Sequence, residues 1–183
     1  EPSEVFSKEG LRVNIFKNEA DMGQAAAGYT KSCLESAIKE KGCANLILAT
    51  GTSQFSFLEA LKKMEVEWRR VTVFHLDEYI GIASDHPASF RRYLKERILD
   101  EVSPGKVYLI NGDAGNLNEE MAVYQDLLKN NPVDIACIGI SESEHIAFND
   151  PPVADFNDPV WVKSVELDQA CRMQQLGEGW FAS

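Results

Sequence analysis

The sequence predicts an α/β fold: an open, mostly parallel sheet with helices on both faces. Three observations predict it. Short apolar runs at 46–49, 71–76 and 133–140 are nearly unbroken, and strands buried on both faces read this way. Between them lie segments whose apolar residues recur at helical spacing. Strand and helix signals alternate along the chain, as parallel strands with crossover helices require. The 183 residues, 44% hydrophobic and 26% charged, supply one core and not two large ones. Residues 1–183 are therefore read as a single domain.

Each element follows from local chemistry. Residues 11–16 alternate apolar and polar, predicting a half-buried strand. Asn18 offers an N-cap to a helix whose stripe is Met22, Ala25, Ala26, Tyr29, Cys33 and Ala37, and Gly42 supplies its stop. The run 46–49 is a short strand; after Gly51, Thr52 and Ser53, the residues Phe57, Leu58, Leu61 and Met64 mark a second helix. The run 71–76 is the next strand, broken by Asp77 and Glu78. Pro87 stands where a first helical turn would begin, and Phe90, Tyr93, Leu94 and Ile98 give that helix its apolar face. Residues 107–110 form a strand ended by Asn111 and Gly112, and Met121, Tyr124 and Leu128 mark a fourth helix. The run 133–140 is the most apolar strand, and 161–167 is expected to be another. The plan is Rossmann-like.

A formal charge of −11 and the absence of any basic cluster argue against a nucleic-acid partner. No apolar run approaches a membrane span and no signal-peptide pattern opens the chain. Cys33, Cys43, Cys137 and Cys171 form no C-x-x-C pair, and no histidine stands at metal-ligand spacing from them. Cys33 and Cys137 are expected as buried reduced thiols, which fits a cytoplasmic setting. The chain opens on Glu1 and closes near Trp180 and Phe181 without a polar tail, so the domain is expected to be incomplete at its C-terminus.

Three segments could carry chemistry, all after predicted strands, where ligands of open α/β sheets bind. Asp77 and Glu78 form a carboxylate pair suited to proton transfer; the plainer reading is a solvated turn. Gly51, Thr52 and Ser53 join a strand to a helix, where backbone N–H groups suit an anion such as phosphate. Thr and Ser are also ordinary N-caps. His145 follows the most apolar strand with Asp150 five residues on, able to orient the imidazole if the chain turns back. Histidines at strand ends are commonly structural, and His75 and His86 are read that way.

Taken in order, Ala49-Thr50-Gly51-Thr52-Ser53, His75-Leu76-Asp77-Glu78-Tyr79-Ile80-Gly81, Asp85 to Phe90, Asn111-Gly112 and His145-Ile146-Ala147-Phe148-Asn149-Asp150 resemble the glucosamine-6-phosphate deaminase (isomerase) family, related to the sugar-6-phosphate lactonases, over about residues 10–181. The resemblance implies conversion of glucosamine 6-phosphate and water to fructose 6-phosphate and ammonia, with a small-molecule sugar phosphate as partner and without metal or organic cofactor. It implies that Asp77 moves a proton between C2 and C1; Glu78 beside it is read from position as a secondary catalytic candidate whose negative charge raises the Asp77 pKa. It implies that His145 opens the pyranose ring, supported by Asp150, a position usually glutamate in the better-known branch. Gly51, Thr52 and Ser53 would hold the phosphate, with Arg172 the nearby arginine available to help.

The loop before the histidine departs from the family's Gly-x-Gly-x-Asn/Asp-Gly-His. Ser141 replaces the second glycine, Ser143 takes the Asn/Asp position and Glu144 replaces the last glycine, which predicts a poor catalyst. The family's chain also continues past Phe181. Two rivals follow: a 6-phosphogluconolactonase-type ester hydrolase, which needs no C2 base, and a non-catalytic sugar-phosphate-binding module. Assembly into a homo-oligomer is left open.

Overall fold

A computed structural model describes residues 1–141, 144–167, 172, 173 and 177. Four strands form an all-parallel sheet in the order β5-β4-β3-β6: β3 is Ala44–Leu48, β4 Val71–His75, β5 Lys106–Tyr108 and β6 Ile135–Cys137. Before it stands a hairpin of β1 (Glu4–Lys8) and β2 (Leu11–Ile15). Helices among the described residues include α1 (Glu19–Lys41), α2 (Phe55–Leu61), α3 (Phe90–Leu94), α4 (Asp100–Val102) and α5 (Leu117–Asn130), with a π-helical stretch Lys95–Leu99 joining α3 to α4.

The two faces of the sheet are filled by alternate residues of the same strands. Leu46, Leu48, Val71 and Val73 point into a core with Leu34 of α1, Leu58 and Leu61 of α2, and Tyr93, Leu94 and Ile98. The other row, Ile47, Phe74 and Tyr108 at matched register, packs under Tyr124 and Leu128 of α5. Phe74 is fully buried there, its ring 5.4 Å from Tyr108 and 5.9 Å from Tyr124. Truncating such a ring to alanine costs about 3–5 kcal/mol. Helices thus cover both faces, as expected from apolar runs without alternation.

The strand order places the site. From β3 the chain steps to β4 and β5 in one direction, then crosses back through α5 to set β6 on the far side of β3. Such a reversal leaves a crevice beyond the carboxyl ends of the strands.

The helix caps follow the sequence closely at α1, where Asn18 accepts from Asp21 N at 2.8 Å and Gly42 N closes on Ile38 O. They depart at α3. The first turn begins at Phe90 and not at Pro87, because the N-cap is Ser89, whose hydroxyl accepts from Arg92 N, leaving Pro87 in the preceding turn.

Two strand expectations are corrected. Residues 11–15 do form a strand, but it is exposed rather than half-buried. It pairs with β1, which the sequence reading missed, through a two-residue turn in which Glu9 (φ 51°) and Gly10 (φ 87°) are both left-handed. Residues 161–167 form no strand; Val162 packs against the cluster under α5 and Trp161 N donates to Gln125 Oε1 of α5 at 3.2 Å. Val162 of that segment is thus used against a helix and not at a sheet edge. Among the described residues no helix is long and apolar enough to cross a membrane.

Candidate functional site

The loops after β3, β4 and β6 meet the start of α3 around a cleft of about 300 Å³. Gly51, Thr52, Ser53, Asp77 and His145 all line it, with Ser89, Phe90, Tyr93, Ser141 and Phe148. The topology therefore brings the three sequence segments to one place. Among the residues lining it there is no lysine or arginine.

The first wall is the loop after β3. Gly51 adopts φ 106° and ψ 166°, a conformation that a side chain would strain. The chain then winds through a 3₁₀ turn Thr52–Gln54 into α2, so Thr52 and Ser53 open a continuous helical run facing the cleft. Tyr93 of α3 donates its hydroxyl to Gly51 O at 2.7 Å. Its ring stacks on Phe55 at 5.9 Å, and the Arg97 guanidinium lies 3.6 Å over the Phe55 ring. The loop is thus tied to α3 by a hydrogen bond and an aromatic stack.

The second wall is the loop after β4, where the adjacent carboxylates part company. Asp77 faces the cleft, and burial, helped by the nearby Glu78 charge, pushes its carboxyl up to about 7. The Glu78 side chain is fully buried and absent from the cleft lining. It accepts from Ser89 Oγ at 2.9 Å and from the N–H groups of Tyr79, Phe90 and Arg91, each at 3.0 Å. Arg91 Nε lies 3.3 Å away.

The third wall is the loop after β6. His145 Nδ1 lies 2.7 Å from Asp150 Oδ1, both residues buried. Ser141 closes the loop onto the histidine: Ser141 N donates to His145 O and His145 N donates to Ser141 Oγ, both at 3.2 Å. Glu144, Ala147 and Phe148 adopt left-handed φ of 63°, 53° and 57°. The Phe148 ring lies 5.6 Å from the His145 ring and stacks on Phe90 at 6.2 Å.

Arg172, expected to help hold the phosphate, does not line this cleft. Arg172 is exposed and donates from Nε to Leu167 O at 2.9 Å. Ser143 lies outside the described residues, as do Cys171, Trp180 and Phe181. His75 is buried under the site; its Nε2 accepts from Ile110 N at 2.7 Å, and burial pulls it down to about 3, so it stays neutral. Cys33 and Cys137 are half-buried free thiols, and burial pushes Cys137 up to about 11. Among the described residues no three His, Cys, Asp or Glu side chains converge as a metal ion requires.

Sequence reasoning missed Tyr93, Arg91 and the aromatic wall of Phe90 and Phe148. Tyr93 and Phe90 were read as helix core by spacing, and Arg91 carried no signal at all.

Known proteins resemble this chain over most of its length. The family model of glucosamine-6-phosphate isomerases/6-phosphogluconolactonase matches residues 17–164. A glucosamine-6-phosphate deaminase of Bacillus cereus (strain B4264) is 34% identical over 164 residues, covering 90% of this chain and 61% of that protein. The chain thus spans about three-fifths of that relative's length. The solved structure of a monomeric glucosamine-6-phosphate deaminase superposes with a TM-score of 0.78 at 28% identity, covering 91% of this chain and 68% of the other. A 6-phosphogluconolactonase from Shewanella baltica OS155 shares the fold, with a TM-score of 0.65 at 20% identity over 72% of this chain and 57% of the other.

Proposed function

Because the chain belongs to the family of glucosamine-6-phosphate isomerases and 6-phosphogluconolactonases, we propose that its cleft binds a sugar 6-phosphate and carries out aldose–ketose isomerisation with loss of ammonia from glucosamine 6-phosphate. The observation that supports this reading over lactone hydrolysis is Asp77. A carboxyl held near neutrality lines the same cleft as an imidazole–carboxyl pair and a glycine loop at a helical start. Hydrolysis of a lactone asks only for a water-activating base. Shuttling a proton between adjacent carbons asks for a second group that both takes and returns it.

In this reading the phosphate sits against Gly51, Thr52 and Ser53, where backbone N–H groups and hydroxyls point at the anion. His145, its Nδ1–H held by Asp150, uses Nε2 to take the anomeric hydroxyl proton and return it to the ring oxygen, opening the ring. Asp77 removes the C2 proton while O1 takes up a proton given by the C2 ammonium, leaving an enolamine, and Asp77 then returns its proton to C1. The resulting C2 iminium adds water and releases ammonia, so one water enters and one ammonia leaves. Phe90 and Phe148 give the cleft a stacked aromatic wall. The half-buried thiols Cys33 and Cys137 are consistent with a reducing, cytoplasmic location.

The test is ammonia release from glucosamine 6-phosphate by the purified chain, against phosphate-free glucosamine as control. Release that depends on the phosphate supports the reading. Hydrolysis of 6-phosphogluconolactone without ammonia release overturns it in favour of the hydrolase, and saturable binding of glucosamine 6-phosphate without turnover overturns it in favour of a binding module.

A further inference from the structure

Of the two carboxylates at the end of β4, one faces the cleft and the other is enclosed. Glu78 Oε1 accepts from Tyr79 N and Phe90 N, both at 3.0 Å, and Oε2 accepts from Ser89 Oγ at 2.9 Å and Arg91 N at 3.0 Å. A carboxylate at the first turn of a helix meets unpaired N–H groups and the positive end of the dipole. Arg91 adds a second lock. Its Nε lies 3.3 Å from Glu78 Oε2, while Nη1 donates to Asn111 Oδ1 at 2.6 Å and Nη2 donates to Ile82 O at 2.6 Å and Asp113 Oδ1 at 2.8 Å. The loop after β5 is drawn in as well. Gly81 N donates to Gly112 O at 2.6 Å, and a Cβ on Gly112 would sit 2.3 Å from Tyr79 O and 2.9 Å from Glu78 Cγ. Three segments, the loops after β4 and β5 and the start of α3, therefore converge on one buried side chain.

We propose that Glu78 is the positioning residue of this site: its buried carboxylate locks the loop that presents Asp77 to the helix start that presents Ser89 and Phe90, and sets a fixed negative charge beside the proton-carrying group. Glu78 exchanges no proton with substrate, since it does not reach the cleft. The catalytic meaning of this role rests on the reading given under Proposed function, whereas the coupling between the two carboxyl groups does not.

The coupling follows from position. A fixed negative charge next in sequence disfavours ionisation of Asp77 and adds to the effect of its burial. The other groups around Asp77 are His75 on its own strand, His145 and Asp150 in the loop after β6, Glu120 and Tyr124 of α5, and Asp155, Asp158 and Lys163 beyond it. His75 is neutral here.

The experiment follows Asp77 by carboxyl carbon NMR in the free chain, in Glu78→Gln and in the double variant Glu78→Gln/Arg91→Gln, which removes the buried charge pair together. The Asp77 midpoint is expected to fall in each folded variant, and the acid limb of the pH–rate profile to fall with it. Ammonia release at saturation is expected to drop on the order of a hundredfold as the carboxyl loses its register. A midpoint that stays or rises in a folded variant overturns the proposal, because a residue that only stabilised the fold would leave it unmoved. Failure of both variants to fold overturns it too, by making Glu78 a residue of the fold and not of the site. If the midpoint falls but the wild-type chain releases no ammonia, the positioning stands and the proposed reaction fails.

Discussion

His145 Nδ1 and Asp150 Oδ1 lie 2.7 Å apart, inside a loop that turns back on itself within five residues. With Asp150 accepting from Nδ1–H, the lone pair of the ring is on Nε2. The turn is made by Ala147 and Phe148 in left-handed backbone, which carries residue 150 back under the ring. The ring is thereby held in one tautomer and one orientation.

That pairing makes the first prediction. Asp150→Asn keeps the size but offers an amide, which favours the other tautomer. Turnover of the ring-closed sugar phosphate is expected to fall by roughly 10²–10⁴. An open-chain analogue, which needs no ring opening, is expected to lose far less. Steady-state rates on the two substrates check this, and equal losses would place His145 outside ring opening.

The second prediction concerns Asp77, whose carboxyl is pushed up to about 7. Below about pH 4 it is protonated both folded and unfolded, so it contributes no pH-dependent change there. Between about 4 and 7 only the folded chain holds the proton, so stability falls as pH rises, and it levels off above about 7. Asp77→Asn removes that loss and is expected to be more stable than the wild type at pH 8 by roughly 1–3 kcal/mol. The gain stays below that of a sealed carboxyl because the cleft leaves Asp77 partly exposed. The same variant is expected to lose solvent-deuterium incorporation at C1. Urea melts at pH 4 and pH 8, with isotope exchange, check both halves.

Tyr93→Phe is the third. Burial pushes the Tyr93 phenol up, so it remains a donor to Gly51 O across the working range. The variant keeps the stack on Phe55 and loses one hydrogen bond, costing about 1 kcal/mol in stability. If Gly51, Thr52 and Ser53 hold the phosphate, KM for the sugar phosphate is expected to rise by about three- to tenfold, with kcat nearly unchanged. Phosphate-free glucosamine serves as the control, because its weak binding should not respond.

Much of this site was legible because its parts follow strands. An apolar run that breaks into Asp77, and others that break into Gly51 or lead to His145, all end on the same edge of a parallel sheet, so the motifs had to meet. What the sequence did not carry was the direction of each side chain. Asp77 and Glu78 read as a pair, yet one lines the cleft and the other is buried, because the start of α3 supplies N–H groups for only one of them. Arg91 is the second residue of α3, and nothing local marks it as buried. The exposed hairpin β1–β2 carries the alternation of a half-buried strand, but burial depends on what stands opposite, which alternation does not encode.

The last prediction refines the expectation of a poor catalyst. Of the two positions where the family carries glycine and this chain does not, only one takes left-handed backbone. Glu144 sits at φ 63°, where a side chain costs roughly 1–2 kcal/mol. Ser141 has no left-handed backbone, and its hydroxyl accepts from His145 N. Glu144→Gly is therefore expected to stabilise the chain by about 1 kcal/mol. It also removes a negative charge near a cleft meant for an anion, which should lower KM. Ser141→Gly is expected to act in the opposite direction, since it deletes the side-chain member of the two bonds that close the loop on the histidine. Thermal melts and ammonia release on the two single variants separate these effects. Equal gains from both would mean that the loop is limited by missing glycines as such, and a loss from Glu144→Gly would mean that its side chain holds His145 in place.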